Sequence, residues 1–129
     1  MKPARIDAFL KIASEELDAA ERLEKFLPRQ SAYFLSQSVE KLLRALVEDG
    51  GQVAGATHNL GYLISLLPVD HPLRADFVAV EHLTGASTST RYPSPTGRLF
   101  DVDAKRLSND INSVRMLIGR VTAYLAASR

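Results

Sequence analysis

Apolar residues recur every three or four positions through almost the whole chain, and that period leaves a helical bundle as the fold. The C-terminal stretch carries it most cleanly. Leu107, Ile111, Val114, Ile118, Val121 and Leu125 fall within an arc of about 80° on a helical wheel. At the N-terminus the stripe is Ile6, Leu10, Ala13, Leu17, Ala20 and Leu27, with Pro3 suited to a first turn and Pro28 closing the segment. A second stripe, Leu35, Val39, Leu42 and Leu46, is widened by Phe34 and Leu43. It runs from about Gln30 to Asp49 and stops at Gly50 and Gly51. No stretch shows the alternation of a half-buried strand, and there is no internal repeat or low-complexity tract.

The middle of the chain is more broken. After the loop Gln52–Ala56, Thr57 offers an N-cap for a short helix from His58 to Leu67, which Pro68 ends. Asp70 is a second candidate cap, with Pro72 in the first turn of a helix carrying Leu73, Phe77, Val80 and Leu83. That helix turns polar at Ser87, Thr88, Ser89, Thr90 and Arg91. Pro93 disfavours helical dihedrals at Tyr92 and ends it there. Pro93, Pro95 and Gly97 make a stiff loop, and Asp101 or Asp103 caps the last helix. The expected architecture is all-α: an antiparallel up-and-down bundle of four long helices plus one short helix. The 129 residues make one domain, 1–129, which buries roughly two-thirds of its unfolded surface.

Composition narrows the function classes. With no cysteine, the chain has no disulfide, thiolate metal site or cysteine nucleophile. Three histidines without HExxH-type spacing point away from zinc, so no metal and no cofactor is expected. No apolar run nears the ~18 residues of a membrane span, and the N-terminus lacks the apolar core of a signal peptide. A cytoplasmic protein without a membrane partner is the expectation. The net charge of +1 hides a split: residues 1–90 hold 9 basic and 12 acidic side chains, residues 91–129 hold 7 and 3. Lys105, Arg106, Arg115 and Arg120 spread around the polar side of the last helix rather than forming one basic stripe. This argues against extensive duplex binding and leaves room for a small phosphate site.

The polar helix end is the most unusual segment. Thr84, Thr88 and Arg91 share one helical face, and a cation is favoured at a helix C-terminus. Arg91 therefore reads either as a phosphate contact aided by hydroxyls or as a dipole-compensating surface residue. Tyr92 reads as a ring that stacks on a base or covers the arginine, or as one packed under the loop. Arg98 faces the same anion if the loop returns the chain to the helix end. On the second helix Glu40, Lys41 and Arg44 read either as structural, with Glu40 and Arg44 an i, i+4 surface pair, or as functional, with Lys41 in a basic groove with Arg91. His58, at a helix start, is a ligand, a general base or a structural residue. His71 sits at a capping turn, and His82 has no evident acid/base partner. Asn112, Met116, Gly119 and Ala123 form a second face on the last helix, which reads as a dimer contact or as ordinary exposed surface. Nucleophile elbow, P-loop and dinucleotide fingerprint are all missing.

Three motifs resemble the HEPN family (higher eukaryotes and prokaryotes nucleotide binding). SAYFLSQSVEKLLRALVEDGG supplies Gln37, Glu40, Lys41, Leu43, Arg44 and Ala45. THNLGYLISLLP supplies Thr57, His58, Asn59 and Leu60, and STSTRYPSP supplies Thr90, Arg91, Tyr92 and Pro93. Together they span Ser31 to Pro95, about half the chain. The resemblance implies an all-α bundle, commonly a homodimer, that binds nucleotides or RNA. Many such proteins are ribonucleases or sit beside a minimal nucleotidyltransferase in toxin–antitoxin pairs. Nuclease members follow the arginine with a histidine, four to six residues lying between the two. Here Thr96, Gly97 and Arg98 occupy that window, and the last histidine is His82. Arginine holds phosphate but stays charged and shuttles protons poorly. The expectation is thus a nucleotide- or RNA-binding regulatory protein, with Arg91, Tyr92, Arg98 and Lys41 at phosphate, supported by Glu40, His58 and Thr88. A nucleotidyltransferase is a candidate partner. The alternatives are a toxin-like ribonuclease and a protein-interaction module.

Overall fold

Pro28, expected to close the first helix, opens the second. In the computed structural model, which describes residues 3–128 (Ser87 as backbone alone), α1 is Pro3–Leu23 and α2 is Pro28–Asp49. A proline in the first turn forfeits no helical hydrogen bond, so the same residue type serves either end. Leu27 becomes an exposed residue between the two helices rather than part of the core.

α1 and α2 form an antiparallel hairpin with the largest interface in the molecule. Ala13, Ala20, Ala32 and Ala45 let the backbones approach. Buried hydroxyls tie them together: Ser31 Oγ donates to the Ala20 carbonyl at 2.7 Å and Ser38 Oγ to that of Ala13 at 2.8 Å. At the end of α2, Gly51 takes φ +88°. Its N–H reaches the Glu48 carbonyl and that of Gln52 reaches Val47, the paired bonds of a Schellman stop.

The short helix α3 is Leu60–Ser65. Thr57 does not cap it. Asn59 Oδ1 accepts from Tyr62 N at 2.9 Å, while Thr57 Oγ1 accepts from Asn59 N. His58 therefore lies in the loop ahead of the helix. The expected fourth long helix is instead a series of short turns: α4 Arg74–Val78, a 3-10 segment Glu81–Gly85 and α5 Ala86–Ser89. Phe77, Val80, Leu83 and Ala86 are all buried and spaced three apart, which matches the three residues per turn of a 3-10 helix. The following hydroxyls compete for backbone partners, as Thr90 Oγ1 does by donating to the Ala86 carbonyl.

Asp70 does not cap α4. His71 Nδ1 accepts from Leu73 N at 3.1 Å, and the ring packs on Tyr124, 4.8 Å between centroids. Burial holds His71 below its ordinary value of 6.5, against the pull of Asp70. A lowered histidine means that the unfolded chain binds more protons, so stability is lost as pH falls below about 6.5. Urea unfolding from about pH 7.5 to about pH 5 should show a steeper loss in the wild type than in His71→Gln, and parallel curves would refute this.

The last helix, α6, is Ala104–Ala127. Asp103 caps it by accepting from Arg106 N at 2.9 Å. Because α6 packs on both α1 and α2, its buried face is wider than the expected arc. It takes in Leu117 and Asp110 and leaves Ile118 half-buried. The bundle is thus all-α with three long helices, and among the described residues there is no strand.

Candidate functional site

The α5 end is built by a turn in which the N–H groups of Arg91 and Tyr92 both donate to the Thr88 carbonyl, at 3.0 and 3.2 Å. This places the Arg91 guanidinium 5.1 Å from the ring centroid of Tyr33 on α2 and 5.5 Å from that of Tyr92. Both Arg91 and Tyr92 are exposed. An arginine over aromatic faces keeps its charge, and the rings stiffen its long side chain.

The loop after Pro93 closes on itself. Ser94 N donates to the Arg98 carbonyl at 2.8 Å, Ser94 Oγ accepts from Arg98 N at 2.9 Å, and Gly97 supplies the left-handed residue at φ +83°. The closure returns Arg98 to the helix end. Thr88, Ser89, Tyr92, Ser94, Arg98 and Phe100 line one open cleft of about 400 Å³. Chemically it is one guanidinium, several hydroxyls and two aromatic rings, a set suited to an anion attached to something flat.

Lys41 is not in this group. Its Nζ lies 3.3 Å from both oxygens of Glu16 on α1, with the side chain one-fifth exposed. Tyr33 is eight residues away along α2, about 12 Å of helix. Burial pushes the Glu16 carboxyl up, and the Lys41 ammonium opposes that.

Glu40 and Arg44 pair as expected but in the interior rather than at the surface, their side chains 5% and 16% exposed. Arg44 Nε donates to Glu40 Oε2 at 3.0 Å. Its Nη1 and Nη2 reach the Gly55 and Thr57 carbonyls, each at 2.8 Å. The other carboxylate oxygen of Glu40 is 2.7 Å from His58 Nδ1. Arg44 thus compensates a buried carboxylate and anchors the loop that delivers His58, whose ring is 60% exposed.

His82 does have an acidic partner. Its Nε2 lies 3.0 and 2.9 Å from the two oxygens of Asp110 on α6. The pair borders a second cavity of about 370 Å³. Asp110 escaped the sequence reading because its partner is 28 residues away, although a carboxylate beside Leu107, Ile111 and Val114 on a core-facing stripe was a usable signal. Tyr33 was missed too, since nothing local links it to Arg91. Among the described residues, no group of three or more His, Asp or Glu is placed to hold a metal ion. No helix among them is long and apolar enough to cross a membrane.

The fold is similar to the crystal structure of TT1696 from Thermus thermophilus, with a TM-score of 0.75 and 21% identity over 92% of this chain and 97% of that one. No curated protein matches the chain. The family model described as HEPN domain matches residues 6–121, nearly the whole length, and the chain belongs to the HEPN domain family.

Proposed function

We propose that the protein binds a nucleotide or RNA through phosphate at the α5 end, in a regulatory rather than catalytic role. Arg91 and Arg98 would hold the anion, Thr88 and neighbouring hydroxyls would assist, and Tyr92 would stack. The observation that carries the reading is the exposed Arg91 guanidinium set over the rings of Tyr33 and Tyr92, beside a cleft containing Arg98. Lys41 drops out of the phosphate set because it is committed to Glu16. The exposed face Asn112, Met116, Gly119 and Ala123 would serve a homodimer, and a minimal nucleotidyltransferase would be the partner.

One observation favours a ribonuclease as the second reading. His58 is an exposed imidazole whose Nδ1 is oriented by a buried carboxylate, the arrangement of a general base.

Calorimetric titration of single-stranded RNA separates these. Arg91→Ala and Arg98→Ala should each weaken binding at least about tenfold, while Lys41→Ala leaves it unchanged. The salt slope should match one or two phosphates, at about 0.7 per phosphate. Absence of heat with RNA and common nucleotides would leave the interaction module as the reading. Cleavage of the RNA that His58→Ala abolishes would make the protein a nuclease.

A further inference from the structure

The cleft at Arg98 and the cavity at His82 share a wall. Phe100 lines both. Their chemistries are opposite. The cleft offers Arg98 and hydroxyls. The cavity has apolar sides, including Leu83, Ala86 and Leu107, and is bordered by Asp101, Asp103 and Asp110 against one arginine, Arg106. With three carboxylates against one guanidinium, the lining disfavours an anion and accepts an uncharged, partly apolar group. At about 370 Å³ it lies within the usual range for a small-molecule site.

Its polar groups define what that group must present. Asp103 commits one carboxylate oxygen to Arg106 N at the start of α6. Asp110 accepts from His82 Nε2 with both oxygens, so that nitrogen carries the proton. In the neutral ring Nδ1 is then an acceptor, and the exposed Asp101 carboxylate at the rim is another. Both call for a donor on the ligand. The cost of burying Asp110 on the core face of α6 is best explained if it fixes that tautomer.

We propose that the His82–Asp110 cavity is the base subsite for an amino-bearing nucleobase, adenine above all. Its exocyclic amine donates to His82 Nδ1, and its 5′-phosphate lies across Phe100 in the Arg98 cleft. The phosphate half of this arrangement rests on the function proposed above; the cavity half stands on its own geometry.

Three probes separate the halves by calorimetry: adenosine for the cavity alone, ribose 5-phosphate for the cleft alone, and AMP for both. Adenosine should bind at least about tenfold tighter than inosine, whose carbonyl replaces the amine. His82→Gln, which keeps a donor for Asp110, should erase that preference and leave ribose 5-phosphate affinity unchanged. Asp110→Asn keeps the bond from Nε2 and should retain most of it. Arg98→Ala should do the reverse, weakening ribose 5-phosphate and sparing adenosine. AMP should bind tighter than either fragment. Adenosine that fails to bind, or binds no better than inosine, overturns the base subsite while ribose 5-phosphate binding preserves the phosphate site. Adenosine binding through His82 without ribose 5-phosphate binding supports the cavity and overturns the phosphate reading. AMP no tighter than adenosine overturns the placement of the phosphate across Phe100.

Discussion

Replacing Arg44 by alanine is expected to remove about 3–5 kcal/mol of stability, the loss typical when one member of a buried ion pair is deleted. The size follows from what is left behind. Glu40 stays buried at 5% side-chain exposure, with His58 as its remaining partner. The Gly55 and Thr57 carbonyls lose their donors. Arg44→Lys keeps the charge but cannot reach three acceptors with a planar fork, so it should recover only part of the loss. Urea unfolding gives the number, and amide exchange across residues 52–59 should accelerate. A loss below about 1 kcal/mol would mean the pair contributes no more than a surface one.

Phe77→Ala should cost about 3–5 kcal/mol by cavity formation. Phe77 is fully buried on α4, a helix of only five residues. A single helix that short does not hold its own structure, so packing supplies what propensity lacks. Phe77 is the largest anchor of the run Phe77, Val80, Leu83 and Ala86 that carries the chain to Arg91. The substitution should therefore also loosen the α5 end, seen as faster exchange at Thr88–Tyr92 and weaker RNA binding than the stability loss alone explains. Unchanged exchange there would show that the α5 end is held independently of α4.

How much of this was legible varied with how local the cause is. α6 could be read almost completely because its period, its Asp103 cap and its buried stripe are all local. Gly50 and Gly51 announced the end of α2 for the same reason. The segment from Leu73 to Arg91 misled because Leu73, Phe77, Val80 and Leu83 satisfy a helical template. The strict three-residue spacing from Phe77 through Ala86 is what favours 3-10 turns. Arg91, Tyr92 and Arg98 could be singled out from the sequence as neighbours of one loop. Their companion Tyr33, and the two His–carboxylate pairs, depend on contacts 18 or more residues apart. Charge patterning misplaced Lys41, since a lysine looks the same in a string whether it faces solvent or a buried glutamate on another helix.

α2 meets Arg91 through Tyr33 and His58 through Glu40. Those positions are seven residues apart, so they differ by only about 20° in direction and about 10 Å in height. With α1, α3, α5 and α6 all packed around it, the helix cannot turn in place to absorb a change in length. One residue inserted between Tyr33 and Glu40 would swing one contact by about 100° relative to the other. The helix acts as a camshaft, fixing the angular phase between the phosphate end and the histidine loop. Natural variation in chain length should therefore accumulate in the connections between helices, while the interval from Tyr33 to Glu40 stays constant in residue count even where its side chains change.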